Sequence, residues 1–72
     1  MSLVRKRSVI VAGHPTSVSL EEPFWEELTI IARARGQSVN KLISKVDQQR
    51  DGNLSSALRL LVLSDLRQRI KS

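Results

Sequence analysis

Hydrophobic and polar positions change their period along this chain. Over residues 15–20, Thr16, Val18 and Leu20 alternate with Pro15, Ser17 and Ser19, the spacing of a strand with one buried and one open face. From Phe24 onward the spacing turns helical, with Phe24, Leu28, Ile31 and Ala32 on one face and Trp25 and Ile30 widening it. A helix over residues 22–35 follows, with Pro23 tolerated in its first turn and Gly36 as a left-handed stop. Ser38 reads as the N-cap of a second helix over 38–50, whose stripe is Val39, Leu42, Ile43 and Val46. After Gly52 and Asn53 a C-terminal helix spans 53–71. Its segment "ALRLLVL", Ala57 to Leu63, is apolar on nearly every side except Arg59, which predicts burial by more than one neighbour.

Residues 1–13 precede this core as a basic arm, Arg5, Lys6 and Arg7, carrying the β-prone run "SVIVA" from Ser8 to Ala12. That run belongs in a second strand or against the core more than in solvent, because exposed apolar strands invite aggregation. The alternating strand itself has an unpaired backbone, and 72 residues bury only about 60% of their unfolded surface. Two copies repair both defects. Their strands pair antiparallel across a two-fold axis, and the helices close over the inner faces. The fold class expected is mainly α with a short β-ribbon, an intertwined homodimer with intersubunit strands plus a third helix. Such a ribbon is of a size to enter the DNA major groove, which makes Pro15, Ser17 and Ser19 candidate base readers.

Composition narrows the function. Hydrophobic residues make up 40% of the chain, with Phe24 and Trp25 its whole aromatic content, so the core is built from Leu, Ile, Val and Ala. The absence of cysteine excludes disulfides and thiolate metal sites and suits a reducing cytosol. Val9 to Ala12 is too short for a signal-peptide core or a membrane span; a soluble cytoplasmic protein without a membrane partner is expected. The net charge of +5, from 12 basic and 7 acidic residues, points to a polyanion, nucleic acid first. Glu21, Glu22, Glu26 and Glu27 gather where the macrodipole of the first helix favours them, without the opposed geometry that acid–base catalysis needs. His14, the single histidine, sits beside Gly13 and Pro15 and suits a loop or backbone role. No enzyme activity, metal or cofactor is expected.

From Thr16 to Ser44, "TSVSLEEPFWEELTIIARARGQSVNKLIS", the chain resembles the ribbon-helix-helix family of small bacterial DNA-binding proteins. The longer frame "RKRSVIVAGHPTSVSLEEPFW" with "NLSSALRLLVL" is similar to a short subfamily that carries an added C-terminal helix. The resemblance implies a core over 14–50, groove-facing positions at Pro15, Ser17 and Ser19, and core-facing positions at Thr16, Val18 and Leu20. It puts a phosphate clamp on Ser38, Val39 and Asn40, where a helix N-terminus offers unpaired N–H groups and a favourable dipole. Pro15 donates nothing and serine hydroxyls discriminate little between bases. Affinity therefore falls to Arg5, Lys6, Arg7, Lys41 and the helix termini. Val18, Leu20, Leu28, Ile31, Leu42 and Ile43 form the expected dimer core.

The function implied is a homodimeric transcriptional regulator, a repressor that binds double-stranded DNA and itself, with further assembly along DNA open. The alternative is a protein-interaction module, an antitoxin or adaptor, in which the third helix or the apolar N-terminal run grips a protein partner. Regulation needs basic residues on the ribbon side; an adaptor needs an exposed apolar patch.

Overall fold

The computed structural model describes residues 3–49 and 52–71; the first two residues of the expected arm and the expected helix end at Arg50 lie outside them. Two strands, β1 (Val4–Val11) and β2 (His14–Glu21), precede three helices, α1 (Glu22–Ala34), α2 (Val39–Gln49) and α3 (Leu54–Lys71). A two-stranded antiparallel ribbon followed by helices, with an added C-terminal one, is the architecture that the alternating and helical patterns predict.

The origin of the second strand differs. β1 and β2 pair within one chain, from Val4 opposite Glu21 to Val11 opposite His14. This corrects the expectation that the strand at 15–20 finds its partner only in a second copy, and it turns most of the expected arm into a strand. The two-residue connection favours the local pairing. Ala12 and Gly13 have φ of 52° and 80°, the doubly left-handed turn whose twist matches the strands on either side. Pro15 opposes Ile10, whose N–H and carbonyl turn outward to α2 side chains. The missing N–H of Pro15 therefore removes no bond from the ribbon.

Alanine is a poor residue for that turn, since the left-handed region costs an L-residue roughly 1–2 kcal/mol and asparagine tolerates it better. Ala12→Asn is expected to raise the unfolding free energy by about 0.5–1 kcal/mol in urea titration. An unchanged midpoint would show that the turn stores no strain.

Val9 and Val11 of β1 and Val18 and Leu20 of β2 meet Leu28, Ile31 and Ala32 of α1, Leu42 and Ile43 of α2, and Leu58 and Val62 of α3 in a single buried core. The six expected core residues are thus buried inside one chain. α2 lies against β1, whereas α1 and α3 lie against β2. Thr16 shares the inner face with Val18 yet is exposed, a correction to its core-facing expectation: the helices cover β2 near its far end, at Val18 and Leu20, and leave its first half open.

The helix ends follow their capping chemistry. Gly36, at φ 66°, donates to the Arg33 carbonyl and Gln37 to that of Ala32, both at 3.0 Å, so the last carbonyls of α1 find partners around a left-handed residue. Ser38 Oγ accepts from the Lys41 N–H at 3.1 Å, and Asn53 Oδ1 accepts from the Ser56 N–H at 3.1 Å, each capping the next helix. α3 departs from expectation on its far side. Leu58 and Val62 are buried, but Leu60 is 64% exposed, Leu63 47% and Ile70 83%, because its neighbours all lie on the Leu58 side. No described helix is long and apolar enough to cross a membrane.

Candidate nucleic-acid interface

Strand alternation sorts the ribbon into two faces. The inner face carries Val9, Val11, Val18 and Leu20. The outer face carries Lys6 opposite Ser19 and Ser8 opposite Ser17 at its centre, Ile10 opposite Pro15 toward the turn, and Val4 opposite Glu21 at the open end. Apart from the half-buried Glu21, all of these outer residues are exposed. The centre of the open face is therefore polar, with one ammonium group, and its two ends are largely apolar.

Alternation also divides the basic run. Lys6 points outward, while Arg5 and Arg7 share the helix-facing side with Leu20 and Val18. The Arg7 guanidinium donates to both carboxylate oxygens of Glu22 at 2.8 and 3.1 Å and lies 4.8 Å from the centre of the Trp25 ring. Arg5 Nε stands 3.7 Å from Glu22 Oε2, with most of its side chain in solvent. Arg7 thus closes the open end of the ribbon over α1, stacking where a hydrophobic residue would otherwise be needed.

Both outer edges of the ribbon are held by helix side chains. On β1, the Ile10 N–H donates to Asn40 Oδ1 at 3.4 Å and Ser44 Oγ donates to the Ile10 carbonyl at 3.5 Å. On β2, the Ser19 N–H donates to Ser55 Oγ at 3.2 Å and Arg59 donates to the Ser19 carbonyl at 3.2 Å. Arg59 also donates to Glu21 Oε1 at 3.0 Å. A backbone hydrogen bond at Glu21 itself, and then Arg59, hold the Glu21 carboxyl below its ordinary range. The start of α2, Ser38 to Lys41, consequently sits beside the turn end of the ribbon with Lys41 exposed. No group of His, Asp or Glu side chains among the described residues is arranged to hold a metal.

The profile of the ribbon-helix-helix domain matches residues 4–66. The chain belongs to the ribbon-helix-helix family. A comparison with curated proteins finds no match. Among solved structures the chain is similar to an uncharacterized protein from Bordetella pertussis Tohama I, at 31% identity and a TM-score of 0.81 over 96% of this chain. It spans 60% of that protein's length. Ribbon-helix-helix proteins are in general DNA-binding regulators or antitoxin-like proteins, and they generally dimerise.

In this ribbon-helix-helix chain the expected base-facing residues Pro15, Ser17 and Ser19 share the outer face. Ser38, Val39, Asn40 and Lys41 gather at one end of it, with the Asn40 side chain tied to β1. Arg5 and Arg7 stand on the opposite face. Sequence reasoning missed Ser8 as a member of the outer face and put Lys6 in an arm. The signal was available in "VAGH", residues 11–14: a two-residue loop ending in glycine between β-prone runs sets the register, which makes Ser8 oppose Ser17.

Proposed function

We propose that this protein is a DNA-binding transcriptional regulator, a cytoplasmic repressor, that seats the outer face of its ribbon in the major groove. The observation that carries the reading is the exposed polar centre of that face, Lys6, Ser8, Ser17 and Ser19, on a two-stranded ribbon of a width the groove admits. Membership of a family that in general binds DNA supports it. Phosphate contacts fall to the first N–H groups of α2 at Val39 and Asn40 and to Ser38 and Lys41. Arg7, engaged by Glu22 and Trp25, serves the fold. No cofactor is required.

The test is fluorescence anisotropy with duplex DNA over a range of salt. Binding should weaken steeply with salt, and Lys41→Ala should lower the log–log slope by about 0.9, the value for one neutralised phosphate. An unchanged slope would remove Lys41 from the contact, and no binding at low salt would remove the reading itself.

A second reading, the antitoxin or adaptor, has one observation in its favour. Leu60, Leu63 and Ile70 leave an apolar stripe on α3 that no described residue covers. A homodimer would use the same stripe, because the ribbon is complete without a second copy.

A further inference from the structure

The inner and outer faces of the ribbon differ in symmetry. A two-fold axis through the Ser8–Ser17 pair carries Ile10 onto Ser19 along the ribbon, and the contacts on these two residues correspond. In each, the N–H is accepted by a side chain in the first turn of a helix, Asn40 or Ser55, and the carbonyl is met by a side chain one turn later, Ser44 or Arg59. The same axis carries Val9 onto Val18 and Val11 onto Leu20, all four buried. At its buried positions the core side of one chain therefore repeats itself as two half-ribbons would, although the same axis carries Arg7 onto Thr16 and Arg5 onto His14.

The open face does not. The axis carries the ammonium of Lys6 onto Pro15, which has no donor, and the apolar Ile10 onto the hydroxyl of Ser19. Only Ser8 and Ser17, at the axis, are alike. A ribbon made from two identical strands would present each side chain twice and read a palindrome; this one presents its single cation to one side of the centre. Lysine is a donor for the O6 and N7 acceptors of guanine in the major groove, whereas an apolar ring suits only a thymine methyl.

We propose that one chain reads an asymmetric duplex site, with Lys6 specifying a guanine on one side of the centre and Pro15 occupying the equivalent place on the other. The inference rests on the DNA-binding reading and adds to it the stoichiometry, the symmetry of the site and the residue that breaks that symmetry. A third strand cannot extend the ribbon at Ile10 or Ser19 without displacing the helix side chains bonded there.

The experiment selects bound duplexes from a random library with the full chain, then trims the winning site to the shortest duplex of full affinity and weighs the complex by sedimentation. The expected result is a non-palindromic motif bound by one chain. Lys6→Met, which keeps the length and removes the ammonium, should cost roughly tenfold in preference for guanine at one position only. Pro15→Lys should add a guanine on the opposite side and make the motif nearly palindromic. A palindromic shortest duplex that binds two chains, with both halves changed by Lys6→Met, would overturn the inference, as would tight binding with no sequence enriched. Failure to bind any duplex at low salt would instead overturn the DNA-binding reading, and this inference with it.

Discussion

Val18→Asp is expected to leave the chain unfolded, whereas Thr16→Asp, two residues away on the same face of the same strand, is expected to fold as the parent does. Val18 is 1% exposed and sits in the shared core of ribbon and helices. The one cation across from it, Arg7 on β1, is already held by Glu22 and stacked on Trp25, and burying a carboxylate without a partner of its own is among the few single changes that cost more than about 4 kcal/mol. A domain of this size holds only about 4–11 kcal/mol in total, at roughly 0.05–0.15 kcal/mol per residue. Thr16 is exposed, so its replacement should move stability by no more than about 0.5 kcal/mol. Thermal melts followed by circular dichroism decide the matter. Equal damage from both would mean that a helix covers the first half of β2 as well as the second.

The largest effect on binding should come from placing negative charge at the centre of the open face. Ser8→Glu combined with Ser17→Glu puts two carboxylates on opposed strands, both exposed. Facing the acceptor-rich floor and phosphate walls of a groove, each carboxylate is repelled, and such like-charge contacts cost several kcal/mol at an interface. Duplex affinity should fall at least about 100-fold, equivalent to ~2.7 kcal/mol. The melting temperature should drop only slightly, since the two carboxylates repel each other across solvent. The same pair of substitutions in an adaptor working through α3 would leave its partner binding intact.

How much of this was legible in the sequence varied by element. The second half of the chain announces its helices through caps and stops, and Gly36, Ser38 and Asn53 each perform the local chemistry that their positions suggest. Leu28, Ile31, Leu42 and Ile43 are spaced as a helix face requires and are buried. β1 was harder to read, because its alternation is hidden: Arg5 and Arg7 occupy inward positions where a strand pattern calls for apolar residues. They can do so because the open end of the ribbon overhangs Glu22 and Trp25, which supply a carboxylate and a ring to a guanidinium. That is tertiary information, and without it "VRKR" looks like an arm. On α3 the problem runs the other way. A segment as apolar as "ALRLLVL" does not state which side is covered, so Leu60 and Leu63 could not be told from Leu58 and Val62 by period alone.

Titrating isotope-labelled protein with a selected duplex, and following the backbone amide resonances, tests most directly whether the outer face of the ribbon meets DNA. The largest shifts should gather at Lys6, Ser8, Ser17 and Ser19 and at the start of α2, with Leu60, Leu63 and Ile70 unmoved. Shifts confined to the α3 stripe, with the ribbon resonances unchanged at saturating DNA, would contradict contact through the ribbon.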